Sequence, residues 1–459
     1  MIPLLLLAGV FLVSFLHPRR GVMLIALTAA FWLEWQLPVG VRLSVFEVAI
    51  MGGLCGVAAG NDGLRFARNV PLSGRVGAFA LATVVSFLYT HIVAFTVSLT
   101  FDAVLWATFK PTLYVVSFFL FYAVLDNPES LQQALRLYLL SATVSAIIGL
   151  VQVATHRTLL SWFVGTYPDI VEDQLAAAGG YDGTRAFSTL GHPTVFGHFM
   201  VIPLSIGLAC LLASEQWRRK RMAWVAAILL ALALMASGTR AAWIAFALSF
   251  GMLSWRLRLF RHRLFLPLLL GGIVAFAGAY KLNLLPQTFE NRLERMKHAE
   301  TDDAMTPRYQ RWAYFWNRSM QAPWFGHGIV ADAAAFEALE YAVSPHNTYI
   351  ELAVQRGWLA TGIFAAIVLG FWGCAWGLAG SPEDGIRGLG VGLFAGIVGS
   401  YTLGAMFDPL YEDSQSTIVF WLLLAIAARY SRLGSLCLEQ ETIAPEVQEQ
   451  PEVAGQVPA

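Results

Sequence analysis

Long apolar blocks separated by short polar connectors run along almost the whole 459-residue chain, and they constrain the fold more than any motif does. A run of about 18 or more apolar residues is long enough to cross a bilayer as a helix. Such blocks fall near 2–16, 21–38, 43–60, 76–99, 101–125, 131–154, 193–213, 222–239, 241–255, 264–280, 349–379, 387–407 and 415–430. In lipid every backbone amide must be paired internally, and a barrel would need shorter segments of alternating polarity that this chain lacks. The expected fold is therefore all-α and integral to the membrane, a polytopic bundle of about 12–13 transmembrane helices. Charge agrees: 13% of the residues are charged and 57% hydrophobic, where a soluble domain carries roughly 25% charged. The first block, Met1 to Leu16, lacks the basic start of a signal peptide and reads as a first spanning helix.

Short cytoplasmic loops are enriched in Lys and Arg. One alternate set of connectors holds Arg19 and Arg20, Arg65, Arg68 and Arg75, Arg136, the run Arg218-Arg219-Lys220-Arg221, then Arg256, Arg258, Arg261 and Arg263, and finally Arg387, Arg429 and Arg432. These ends are expected in the cytoplasm. Two long connectors, about 155–192 and 281–348, then fall on the outer side, and the second is rich enough in aromatic residues to form short interfacial helices. Residues 1–438 read as one transmembrane domain and 439–459, rich in Glu, Gln and Pro, as a disordered cytoplasmic tail.

Several function classes are excluded or unsupported. The net charge is zero with no basic stripe, so nucleic acid is not a partner. Cys55, Cys210, Cys374 and Cys437 form neither a disulfide framework nor a metal spacing. There is no P-loop, no GxSxG elbow and no HExxH, and Asp302-Asp303 is a weak divalent-ion motif. A mechanism without metal or cofactor is the simpler expectation.

Four outer-face segments could carry chemistry: Arg185 leading into His192-Pro193; the tight turn Ser237-Gly238-Thr239-Arg240; the pair Arg308 and Arg311; and Pro345-His346-Asn347-Thr348-Tyr349 before a helix with Glu351 and Arg356. The planar guanidinium suits phosphate oxygens, so these arginines would bind a pyrophosphate if they converge in space. Snorkelling to lipid head groups is the alternative for each one, and Arg240 and Arg308, which sit beside Gly or Pro breaks rather than on a plain helix flank, favour the binding role. His346 is the candidate general base, since imidazole titrates near neutrality. Alternatively His346 and Asn347 simply cap the helix they precede. His192, His198 and His327 have equally plain packing roles. Glu34, Glu47, His91 and Lys110 are ionisable residues inside apolar blocks, where such groups often line a transport path.

The arrangement resembles the O-antigen ligase and O-antigen polymerase superfamily of bacterial membrane glycosyltransferases. Three stretches carry the likeness: Ser237-Gly238-Thr239-Arg240-Ala241-Ala242-Trp243; Arg308 through Gly328, with its Pro-x-Phe-Gly-x-Gly element; and His346-Asn347 followed by Gly357. The family element often ends Gly-x-x-Gly, whereas Ala360 follows Gly357 at that spacing here. The resemblance implies transfer of a glycan from an undecaprenyl-pyrophosphate-linked donor at the periplasmic face of the inner membrane. Arg240 and Arg308, backed by Arg185 and Arg311, would hold the pyrophosphate, and His346 would act on the acceptor hydroxyl, supported by Asn347 and Tyr349. The implied partners are the lipid-linked glycan, an acceptor glycan or lipid A-core, the bilayer and a chain-length regulator protein. Polymerisation of O-antigen or exopolysaccharide repeats is the expected subtype, with ligation to lipid A-core the alternative. In a different class stands a small-anion transporter, such as a bicarbonate carrier, with Lys110, His91 and Glu47 along its path.

Overall fold

A computed structural model describes residues 2–31, 34–36, 42–60, 70–90, 109–155, 185–261, 270, 281, 305–328, 344–408, 410–411 and 414–443. The apolar block at 264–280 lies almost wholly outside these residues. His91, Asp102, Asp302-Asp303, most of both long connectors and the segment 444–459 lie outside them too.

The chain forms α1 (Ile2–Leu16), α2 (Pro18–Thr28), a hairpin of β1 (Glu34–Gln36) and β2 (Arg42–Ser44), α3 (Val45–Ala59), α4 (Ser73–Leu88), α5 (Lys110–Val124) and α6 (Pro128–Thr155). It continues with α7 (Pro193–Ala213), α8 (Arg221–Ala236), α9 (Arg240–Arg256), α10 (Met305–Gln321), α11 (Thr348–Leu378), α12 (Asp384–Ile397) and α13 (Ser414–Ile443). Among the described residues five helical stretches are long and apolar enough to cross a membrane: Pro128–Thr155, Pro193–Ala213, Thr348–Leu378, Asp384–Met406 and Ser414–Leu433. Shorter apolar helices surround them. The fold is an all-α membrane bundle, as the apolar blocks require.

Two local departures have physical causes. The block at 21–38 is not one helix: α2 stops at Thr28 and Glu34–Gln36 pairs antiparallel with Arg42–Ser44, Trp35 opposite Leu43. Pro38 and Gly40 stand between the strands and disfavour helix there. Glu34 is thus a strand residue rather than an intramembrane helical one. At the other end, α13 runs to Ile443, five residues past the boundary that composition sets for the tail. Leu, Glu and Gln are good helix formers, and a preceding helix propagates into them readily.

The bundle closes where backbones can approach. Gly388, Gly392 and Gly396 recur every fourth residue on α12, and a Cβ on any of them would meet the α7 backbone at Cys210, Ile206 or Ile202 within 2.5–3.1 Å. A small-residue ridge of this kind is how membrane helices pack without a hydrophobic driving force between them. α12 then widens into a π-turn, Val398–Leu403, and a 3-10 turn, Gly404–Met406. Below that turn, Phe364 of α11 stacks against Phe79 of α4 at 5.5 Å and Phe420 of α13 at 5.7 Å, and Tyr401 of the π-turn meets Phe420 at 4.6 Å.

Glu47 and Lys110, two of the ionisable residues that a transport path would need, face each other. Lys110 Nζ lies 3.1 Å from Glu47 Oε1, and both side chains are buried. Tyr114 donates to the same carboxylate, whose other oxygen accepts from the Ser44 backbone N–H in a capping box that starts α3. The pair is bound into a network joining α3, α5 and, through Tyr114 to Ser414 at 3.0 Å, α13.

Candidate active site

Glycine geometry builds the site's frame. α11 is interrupted at Gly357, where φ is 84° and ψ 165°, a region open essentially to glycine alone. The segment Pro323–Gly328 inserts against this break. His327 N–H donates to Val354 O at 2.7 Å, Gly328 N–H to Gln355 O at 3.0 Å, and Trp358 N–H donates back to Pro323 O at 2.7 Å. Ser86 of α4 donates to the Phe325 carbonyl. The backbone groups freed by the break are therefore paired, which buried irregular backbone requires. A Cβ at Gly357 would lie 2.2 Å from Trp324 O, and one at Gly326 would lie 2.5 Å from the Gln355 carbonyl carbon. The Pro-x-Phe-Gly-x-Gly element is thus a clasp on α11, and His327, whose ring meets the Arg318 carbonyl at 2.9 Å, belongs to it.

That clasp holds α10, the helix carrying Arg308 and Arg311, against the start of α11. Trp312 follows the two arginines on α10 and donates its indole N–H to Pro345 O at 2.9 Å. Its ring packs on Phe407 at 6.0 Å. Pro345 precedes His346 and Phe407 precedes Asp408, so one tryptophan docks the arginine helix between a histidine and an aspartate. Neither Arg308 nor Arg311 has a hydrogen-bond or ion-pair partner among the described residues. Partial burial and its neighbour Arg308 hold the Arg311 pKa below the usual guanidinium value.

His346 is half-buried with a left-handed backbone, φ 49°. Ser344 Oγ accepts its N–H at 3.1 Å and donates to Glu351 at 3.0 Å, fixing the turn. Asn347 is the N-cap of α11: its Oδ1 accepts from Tyr349 N–H and Ile350 N–H at 3.0 and 3.1 Å. The capping role therefore belongs to Asn347 and leaves the His346 imidazole to other partners. Tyr349 donates its hydroxyl to the Tyr401 carbonyl in the π-turn. Burial pushes the His346 pKa below the ordinary value, Asp408 opposes this, and Arg311 and Arg308 add to it. The imidazole is consequently neutral at neutral pH, the form a proton acceptor needs.

Arg185 stands on the adjoining segment. Its Nε donates to Ser237 O at 2.9 Å and Nη2 to Thr239 Oγ1 at 3.2 Å, and its side chain crosses Gly238, whose φ of 61° makes the turn. Trp243 ties the same turn by donating to Leu234 O at 3.1 Å. Arg240 opens α9 immediately after Thr239, so Arg185 and Arg240 flank one turn. His192 caps α7, its Nδ1 accepting from Thr194 N–H at 3.2 Å. The His192 ring is open to solvent on one side, yet the protein around it lowers its pKa to about 4. Arg185 and His346 add to that lowering and Asp408 opposes it. His192 thus lies within electrostatic reach of Arg185, His346 and Asp408.

The residues nominated from the sequence divide accordingly. Arg308, Arg311 and Asp408 lie within electrostatic reach of His346, Arg185 and Arg240 share the neighbouring turn, and Asn347 and Tyr349 set the helix that presents His346. Asp408 was not among the expected residues. Its Oδ2 lies 2.7 Å from His198 Nε2, and its backbone carbonyl accepts from Thr348 at 2.8 Å. The available signal was an acid at the end of an apolar block, an intramembrane ionisable group of the kind that marks function. Chemically, the site offers one neutral imidazole, one carboxylate and the guanidiniums of Arg308 and Arg311, a set suited to activating a hydroxyl beside a multiply charged anion.

Part of the chain is similar to known proteins. Residues 225–365 match the family model described as O-antigen ligase, a segment that contains Arg240, Arg308, Arg311, His346 and the Gly357 break. Arg185, His192, His198 and Asp408 lie outside it. The chain is also 26% identical over 210 residues to a General O-oligosaccharyltransferase of Acinetobacter baylyi, a match covering 41% of this chain and 35% of that relative's length. Over residues 225–365 the chain is thus similar to the O-antigen ligase family, and its similarity to the oligosaccharyltransferase spans about a third of that relative's length.

Proposed function

We propose that the protein is a membrane glycosyltransferase that moves a glycan from an undecaprenyl-pyrophosphate-linked donor to an acceptor hydroxyl at the periplasmic face of the inner membrane. The observation that carries this reading is the docking of Arg308 and Arg311, both unpaired among the described residues, beside the neutral, half-buried His346. The basic clusters support the orientation. Arg221 begins α8 and Arg256 ends α9, so both lie at the opposite end of these helices from the Ser237–Thr239 turn.

In this mechanism the acceptor oxygen attacks the anomeric carbon opposite the phosphate while His346 takes the hydroxyl proton. The bond from the anomeric carbon to the phosphate oxygen breaks, and its electron pair leaves with the pyrophosphate. The anomeric configuration inverts. Positive charge fixed where negative charge develops is the strongest form of electrostatic catalysis, and Arg308, Arg311, Arg185 and Arg240 supply it without a metal. Repeat-unit polymerisation and ligation to lipid A-core differ only in the acceptor. The description of the matched family favours the ligase as a second reading.

The test uses purified protein with undecaprenyl-pyrophosphate-linked oligosaccharide. A ladder of lengthening lipid-linked glycans is the result expected of a polymerase, and product appearing only with lipid A-core identifies a ligase. Absence of transfer to either acceptor, or to an added protein acceptor, refutes the proposal. His346→Ala and Arg308→Ala are expected to abolish transfer while the protein still accumulates in the membrane. General-base removal alone accounts for about 10²–10⁴-fold.

A further inference from the structure

Next to Asp408 the fold buries a second polar group of residues that the proposed chemistry does not use. His198 lies on α7 with its side chain almost wholly buried and its Nε2 2.7 Å from Asp408 Oδ2. Its other nitrogen, Nδ1, is buried with no hydrogen-bond partner among the described residues. The Tyr138 hydroxyl of α6 and the Ser400 hydroxyl of the π-turn are in the same condition. These three side chains line one cavity, closed on its apolar side by Phe199, Leu410 and Val419. Buried polar atoms are rarely left unpaired, and each such group costs stability unless something satisfies it. The cavity offers about 10 Å³ to a water-sized body, close to the ~10–15 Å³ that one buried water needs when two to four polar partners surround it.

Local backbone makes room for this arrangement. The π-turn Val398–Leu403 widens the helix at Ser400, and such widened turns recur at functional sites. Gly404 follows it, and a Cβ there would lie 2.7 Å from His198 Nδ1. The turn therefore presents a hydroxyl to the cavity and clears the ring that shares it.

We propose that a single buried water bonded to His198 Nδ1, Ser400 Oγ and Tyr138 Oη fixes the His198 ring, making His198 a positioning residue that holds Asp408 toward His346. Asp408 accepts from Nε2–H, so Nε2 must carry a proton. Nδ1 then needs a donor if the ring is neutral or an acceptor if it is charged, and water serves as either. Removing the support lets the ring turn and the carboxylate leave its place beside His346. The catalytic part of this inference rests on the glycosyltransferase reading, whereas the water site does not.

Two measurements separate those parts. The first is ¹⁵N spectroscopy of histidine-labelled full-length protein in nanodiscs, with the His198 signals assigned by their loss in His198→Gln. A protonated Nε2 is expected, with an Nδ1 resonance that moves in Ser400→Ala and in Tyr138→Phe. A bare Nε2, or an Nδ1 signal unmoved by both substitutions, overturns the water site whatever the enzyme does. The second is steady-state glycan transfer. His198→Leu is expected to lower kcat at least tenfold with KM little changed, and His198→Gln, which keeps a donor in reach of Asp408, to recover much of that loss. Wild-type turnover in His198→Leu overturns the positioning role. Absence of transfer by the wild-type protein refutes the glycosyltransferase reading and the positioning role with it, while the spectroscopy still decides the water site.

Discussion

Replacing Gly357 by alanine tests whether the clasp on α11 holds the site together. The new methyl would sit 2.2 Å from Trp324 O and 2.7 Å from Phe325 N, both backbone atoms that cannot swing aside as a side chain can. Its φ of 84° adds strain that only glycine escapes. Relieving the overlap means withdrawing Pro323–Gly328 from the break, which breaks the three backbone hydrogen bonds made by His327, Gly328 and Trp358. Each is worth about 1 kcal/mol net and the disfavoured backbone about 1–3 kcal/mol, so the variant loses roughly 4–6 kcal/mol, locally or globally. Gly362→Ala in the same helix is the control, because no atom lies within 4 Å of a Cβ there, and it should gain roughly 0.5–1 kcal/mol from helix propensity. The assay is the fraction of detergent-solubilised protein remaining monodisperse after heating, read beside glycan output. At about 2–4 °C per kcal/mol, Gly357→Ala should lose on the order of 10 °C and most of its transfer activity, since α10 is no longer seated at His346. A Gly357→Ala protein that heats and transfers like Gly362→Ala would refute the clasp.

Three further outcomes follow from charge and capping. The acidic limb of kcat/KM against pH should fall below the free imidazole value of about 6.5, because burial, Arg311 and Arg308 favour neutral His346. Removing a cation in Arg311→Gln should raise that limb, and removing the opposing anion in Asp408→Asn should lower it. The same direction for both would dismiss His346 as the titrating group. Lys110→Met strands the buried Glu47 carboxylate and should cost about 3–5 kcal/mol, most of it regained in the Glu47→Gln/Lys110→Met double variant. Equal heat stability of single and double variants would argue against the pair. Asn347→Ala removes the cap of α11 and should cost about 1 kcal/mol, with a smaller loss of transfer than His346→Ala.

Periodicity and residue type reached a long way into this protein. Apolar blocks longer than a bilayer crossing specify a helical bundle because lipid leaves no other way to pair the backbone. The glycines and prolines around 237–240, 323–328 and 345–357 mark turns, because only particular residues tolerate those backbone angles. Arg308, Arg311 and His346 were legible as candidates because charged and titratable groups are costly beside hydrocarbon. The interior of the 21–38 block was misread, since hydrophobicity alone does not separate a helix from a short hairpin.

What the tertiary structure alone decided is which of these groups meet. Asp408 and His198 are 210 positions apart and become neighbours at 2.7 Å only through the packing of α7 against the end of α12. Trp312 reaches Pro345 and Phe407 because the clasp at Gly357 turns α10 toward α11. The division of labour between His346 and Asn347 likewise lay outside sequence reasoning, since capping depends on which side chain oxygen faces the free amides. Composition and spacing are properties of the chain, whereas a site is a set of distances, and distances between remote residues are set by how helices close on one another.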